Sequence, residues 1–151
     1  MTRARWAPLM LVALAAACGD EDPAAEVAVD GVAVVDAWTR PSPATVTDAA
    51  LYVTLEHVTG PGDEIVAIGS RRCVTVVPHQ TRFDDDGVAS MTAVGQALRL
   101  PVGGSIEMGP NGLHLMCLGI EAPFVAGDAF ELDIELASRG PVTVDVHVEE
   151  R

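Results

Sequence analysis

The sequence predicts an all-β domain, a sandwich or barrel, on three observations. From Val32 onward, short apolar or alternating runs follow one another. Clusters of Gly, Pro and Asp separate them. No stretch sustains the 3.6-residue apolar period of an amphipathic helix. A chain of 151 residues is long enough for one such domain with a modest core.

Taken in order, the first candidate strand is Val32–Trp38, stopped by Arg40-Pro41-Ser42-Pro43, where prolines remove ladder donors. Ala50–Glu56 follows and ends near Gly60-Pro61-Gly62-Asp63, a turn cluster. Glu64–Ser70 and Val74–Thr81 come next. Asp84-Asp85-Asp86-Gly87 then turns the chain into Val88–Ala93. Leu98–Leu100 runs into Pro101-Val102-Gly103-Gly104, and Ser105–Met108 into Gly109-Pro110-Asn111-Gly112. Leu113–Leu118, Ala129–Leu136 (after Ala126-Gly127-Asp128) and Val142–Val148 complete the series.

The segment before Val32 has a different character. Arg3 and Arg5 precede an apolar stretch, Leu9 to Ala17, that is too short to span a bilayer and has signal-peptide length. Small residues lead directly into Cys18, the arrangement of a bacterial lipoprotein cleavage site, although Ala15 departs from the preferred Leu, Val or Ile. The expected organisation is a signal peptide over residues 1–17, a lipidated Cys18 with an acidic flexible linker over 18–31, and the β domain over 32–151. The chain would then be exported and lipid-anchored in the periplasm or on the outer face of a bacterial membrane. An ordinary secretory signal is the alternative.

The chain holds 22 acidic residues against 9 basic ones, and its formal charge is -13. An acidic body repels phosphate backbones, which argues against nucleic-acid binding. With Cys18 set aside, Cys73 and Cys117 remain. An even count in an exported domain permits one disulfide without requiring it, and each cysteine could equally be a small buried hydrophobe.

Four residues carry the chemistry: His79, Met91, His114 and Met116. Imidazole and thioether are neutral donors, and soft sulfur ligands select Cu(I) over hard cations. A thioether also survives where thiols are oxidised. A hairpin centred near Asp85 would set His79 directly opposite Met91, with Cβ atoms roughly 4.5–5.5 Å apart. His114 and Met116 are two apart, so on a strand they share a face while Leu113, Leu115 and Cys117 take the other. Two His/Met pairs on two hairpin edges would thus form a two-nitrogen, two-sulfur metal site. His57 and His147 have no soft partner at a useful spacing and read as surface residues. Met108 alternates with Ile106 and reads as core. Asp84–Asp86 reads as a solvated tip, since calcium loops need more oxygen donors at set spacings.

On these residues the sequence resembles the PCu(A)C-type periplasmic copper chaperones. That family carries a His, often followed by a Met, then ten residues, a Met, about twenty-one residues, and His-x-Met. Here His79, Gln80, Met91 and His114-Leu115-Met116 follow that order, with Gln80 in place of an optional methionine. Asp36-Ala37-Trp38-Thr39-Arg40, Ala50-Leu51-Tyr52-Val53-Thr54-Leu55 and Pro110-Asn111-Gly112-Leu113-His114-Leu115-Met116 are also similar to its blocks, and the likeness spans about Val32 to Val148. The resemblance implies a single-domain, cupredoxin-like Greek-key β-barrel or sandwich that binds one Cu(I). It further implies delivery to the Cu(A) subunit of cytochrome c oxidase, directly or through a copper-transfer thiol protein.

Two other classes compete. A blue-copper electron carrier needs two His and a Cys thiolate, and Cys117 faces away from His114. A metal-free lipoprotein module for protein contacts would share the same turns and core. An enzyme is not expected, because no Ser/His/Asp order, nucleotide loop or catalytic carboxylate pair stands out.

Overall fold

The computed structural model describes residues 27–29 and 31–151. Eleven strands run through them: β1 (Val27–Val29), β2 (Val32–Thr39), β3 (Asp48–His57), β4 (Asp63–Gly69), β5 (Cys73–Phe83), β6 (Ala89–Ala93), β7 (Leu98–Leu100), β8 (Ser105–Met108), β9 (Leu113–Ile120), β10 (Ala129–Leu136) and β11 (Gly140–Val148). They hydrogen-bond in the order β6-β5-β9-β3-β2-β11-β10-β4-β7, with β1 added to β2 and β8 to β3. All pairings are antiparallel except β2 with β11. Every strand expected from the sequence is present, within two residues at its ends. The exception to the reading is β1: Val27–Val29, expected inside the flexible linker, pairs with Val32–Val34. Three consecutive residues of which two are valine suit a strand once a partner edge is available. The expected signal segment, residues 1–17, and Cys18 lie outside the described residues.

Alternation explains the core. In β10, Phe130, Leu132, Ile134 and Leu136 point inward between exposed residues, and Val142, Val144, Val146 and Val148 do so in β11. The register sets Leu132 against Val144 and Ile134 against Val142, so both inward sets meet on one face. Leu51, Val53 and Leu55 of β3, Ile106 and Met108 of β8, and Leu115 and Cys117 of β9 close the same cluster. Met108 is therefore core, as its alternation with Ile106 predicts.

β3 organises the region around the candidate donors. Its Asp48–Leu51 half pairs with β9, and its Val53–Glu56 half pairs with β8. β9 in turn pairs with β5, and β5 with the edge strand β6. Pro78 sits inside β5, where a missing N–H usually breaks a ladder. Its carbonyl faces the β6 side and accepts from Val94 N just past the end of that strand, so the absent donor falls where pairing has already stopped.

Cys73 and Cys117 form a disulfide with Cα atoms 5.3 Å apart, tying β5 to β9. His57 is not a free surface residue: its Nε2–H donates to the carbonyls of Gly60 and Pro61, and its Nδ1 accepts the Gly103 N–H. It braces two loops. Nearby, Asp63 and Arg139 form a buried ion pair at 2.7 Å, and Asp63 also accepts from the N–H groups of Glu64 and Ser138.

Candidate metal site

The β5–β6 turn decides where Met91 lies. Asp84 N–H donates to Val88, and Gly87 N–H donates back to Asp84. Gly87 takes a φ of +78°, the left-handed region that favours glycine. The Asp84 carboxylate caps the loop by accepting from Asp86 and Val88. A three-residue loop, Asp85-Asp86-Gly87, therefore sits between the closing residues, one position later than a hairpin centred on Asp85. As a result His79 pairs with Ala93, and Met91 pairs with Thr81. The direct His79–Met91 pairing expected from the sequence is corrected to a diagonal relation across the ladder. Because the partner shifts by two residues, Met91 keeps the face of His79.

The second correction concerns β9. It does not lie on a hairpin edge but in the sheet interior, beside β5. His79 stands directly opposite His114, and Val77 opposite Met116. The four donors thus come from three adjacent strands, β6, β5 and β9, and one sheet face. The inward residues of the same ladder, Val76 with Cys117 and Pro78 with Leu115, leave that face to the donors.

Hydrogen bonding fixes the imidazoles. His79 Nδ1 lies 3.1 Å from the Val77 carbonyl, and His114 Nδ1 lies 3.0 Å from the Gly112 carbonyl. A carbonyl only accepts, so each Nδ1 carries the proton and each Nε2 keeps its lone pair. A second-sphere bond of this kind is how a metal-binding histidine is oriented and its tautomer chosen. The ring centroids are 6.1 Å apart. With metal–imidazole bonds of ~2 Å, two rings on one ion sit roughly 5–6.5 Å apart between bent and linear arrangements. The two rings already fall within that span.

Met116, His114 and Met91 line one open depression of about 470 Å³, together with Arg40, Ala50, Tyr52, Thr81, Phe83, Ala89, Pro110 and Asn111. His79 borders it through His114 rather than lining it. His114 is only 4% exposed, whereas Met91 is 61% exposed on the edge strand. Among the described residues, no three or more His, Cys, Asp or Glu gather where they could hold a metal. Only the thioethers complete a donor set here, and they give it its soft character. Tyr52, Arg40 and Asn111 were invisible as wall residues in the sequence. Their neighbourhood depends on β3 pairing with β9 and β2 with β3, which no local spacing reveals.

The fold is that of the solved PCuAC domains. It matches the copper-bound PCuAC domain from PmoF2 with a TM-score of 0.68 and 24% identity, over 83% of this chain and 98% of that one. It also matches the solution structure of CuI-DR1885 from Deinococcus radiodurans with a TM-score of 0.59 and 19% identity, over 88% and 86% of the two chains. The chain belongs to the LpqE-like family, described as "Putative lipoprotein LpqE-like", whose model matches residues 32–148. Among curated proteins it is similar to "Putative lipoprotein Lxx21020" of Leifsonia xyli subsp. xyli, at 27% identity over 119 residues, 78% of this chain and 70% of that protein.

Proposed function

We propose that this protein is an exported, non-enzymatic copper(I) carrier that holds one Cu(I) through His79, His114, Met91 and Met116. The observation that carries the reading is the pair of facing imidazoles with both Nδ1 protons anchored to carbonyls and two methionines on the same sheet face. Four neutral donors leave Cu(I) with its single charge, and no thiol proton has to leave on binding. The copper-bound state of the PmoF2 domain supports the same cargo for this fold.

Exchange follows from where the donors sit. His114 is buried and Met116 half-buried, but Met91 stands exposed on an edge strand. An acceptor ligand would displace Met91 first, while the interior donors still hold the ion. By resemblance to the PCu(A)C chaperones, the recipient is the Cu(A) subunit of cytochrome c oxidase or a copper-transfer thiol protein. Lipidation of Cys18 would keep the carrier at a membrane surface, and the family description as a lipoprotein supports that placement. The blue-copper alternative loses its thiolate, because Cys117 is consumed in the disulfide with Cys73.

The test is an anaerobic Cu(I) titration in competition with a chromophoric chelator. The wild-type domain should take up one equivalent. The double variant Met91→Leu with Met116→Leu should take up none while keeping its β-sheet circular dichroism. Unchanged affinity in the double variant rules out the proposed ligand set, and absence of uptake by the wild type leaves the metal-free module.

A further inference from the structure

β8 and β9 both run antiparallel to β3, one after the other along it. Met108 stands opposite Val53 and Leu115 opposite Leu51. Gly109 to His114 therefore leave the ladder as an excursion facing the single residue Tyr52. Irregularities of this kind recur next to functional sites, where they re-aim a side chain. Within the excursion stands Asn111, the one non-glycine among the described residues with a positive φ, at +65°. That region is costly for a residue with a Cβ, and asparagine tolerates it better than most. Such strain persists where the structure around it holds it, commonly at functional positions. Asn111 also lines the depression with His114, Met116 and Met91.

The residue after Asn111 touches the site directly. The Gly112 carbonyl accepts two hydrogen bonds, from the Thr81 N–H at 3.0 Å and from His114 Nδ1–H at 3.0 Å. The first extends the β5–β9 pairing one step past its last pair, Gln80 with Leu113. The second keeps the His114 proton on Nδ1 and leaves the Nε2 lone pair for a metal. His79 supplies the contrast. Its acceptor is the carbonyl of Val77, which lies within β5 opposite Met116, where regular pairing already sets the carbonyl direction. Gly112 precedes β9, so the excursion has to aim its carbonyl.

We infer that Asn111 is a positioning residue of the metal site: its left-handed backbone aims the Gly112 carbonyl, and that carbonyl selects the metal-binding tautomer of His114. The inference rests on the copper reading above. In the other tautomer the free lone pair would sit on Nδ1, pointed at the Gly112 carbonyl oxygen, and Nε2 would carry a proton where the ion has to bind. A negative φ at residue 111 redirects the return of the chain to β3 and takes the Gly112 carbonyl out of line with Nδ1. The backbone of Asn111, rather than its amide, is the active part, so glycine should replace it and a β-branched residue should not.

The test compares wild type with Asn111→Gly and Asn111→Val. Gly140→Val, in the turn before β11, controls for strain alone, since φ there is +80° and a Cβ would meet nothing within 4 Å. Proton–nitrogen NMR spectra of the apo protein read which ring nitrogen of each histidine is protonated, and chelator competition reads Cu(I) affinity. Asn111→Gly should keep the His114 proton on Nδ1 and stay within about twofold of wild-type affinity. Asn111→Val should move part of the His114 population to the Nε2 tautomer, leave His79 on Nδ1, and weaken Cu(I) about tenfold, as for a lost outer-sphere support. Gly140→Val should leave both histidines and the affinity unchanged, whatever it does to the melting temperature. An unmoved His114 tautomer in folded Asn111→Val overturns the inference. So does an equal loss of affinity in Asn111→Gly or in Gly140→Val. Should Asn111→Val not fold, Asn111→Ala carries the same comparison. A wild type that takes up no Cu(I) overturns the copper reading instead, and the apo spectra still decide whether Asn111 sets the tautomer.

Discussion

At the scale of single residues, the site depends on which atoms are left unused. Both histidines spend Nδ1 on the carbonyl two residues back in the chain, Val77 for His79 and Gly112 for His114. That leaves two Nε2 lone pairs on one face, and nothing in the sequence foretells which nitrogen is occupied. The methionines differ in their setting. Met116 stands on an interior strand and Met91 on the edge, 61% exposed. Losing a group that merely supports a ligand typically weakens a metal about 10–100-fold. Met116→Leu should therefore weaken Cu(I) binding at least ~100-fold, and Met91→Leu only about 10-fold, because solvent or a partner donor can replace an exposed thioether. Parallel chelator-competition curves for the two single variants check this order; equal losses would contradict the unequal roles.

At the scale of elements, the β5–β6 hairpin and the β5–β9 ladder explain what the sequence could and could not tell. The hairpin itself was legible, since Asp84-Asp85-Asp86-Gly87 between two apolar runs is a turn. Its register was legible only to within one loop residue, because the same four residues can close around a centre at Asp85 or at Asp86. Side-chain period is two, so the face of Met91 survived that error while its partner did not. The disulfide was equally open from the chain alone. Its two cysteines are separated by 44 residues, and only the docking of β5 on β9 brings them together. Closing a loop of that length is worth about 4 kcal/mol in the chain-entropy account. Cys73→Ser with Cys117→Ser should lower urea stability by roughly 2–4 kcal/mol and still bind Cu(I). Loss of copper binding in a folded double variant would return Cys117 to the ligand list.

At the scale of the whole molecule, an acidic chain is held at one end by a buried ion pair. Burial by itself raises the pKa of the Asp63 carboxyl, but hydrogen bonds from Glu64 N–H, Arg139 and Ser138 N–H outweigh it and bring the group below its ordinary 3.8. A carboxyl whose folded pKa is depressed stabilises the native state above its unfolded pKa. That contribution is lost as pH falls from there through the folded value. Removing one partner of a buried pair strands the other. Asp63→Asn should lower the melting temperature by roughly 10 °C at pH 7. The gap between variant and wild type should narrow as pH drops below about 4. Thermal melts at pH 7 and pH 3 read both effects, and a gap that stays constant would remove Asp63 from the acid response.

The sequence by itself determined the all-β class, the strands from Val32 onward, the inward and outward faces, and which His and Met residues are the candidate donors. Each of these follows from local period and residue chemistry, which a single strand already expresses. Tertiary structure alone decided that β9 lies beside β5 in the sheet interior, that His114 therefore faces His79, that Cys73 reaches Cys117, and that Arg40 stands in the depression with the donors. Those relations join residues tens of positions apart. They depend on which strand edges find one another, and that choice comes from packing of the whole core rather than from any local pattern.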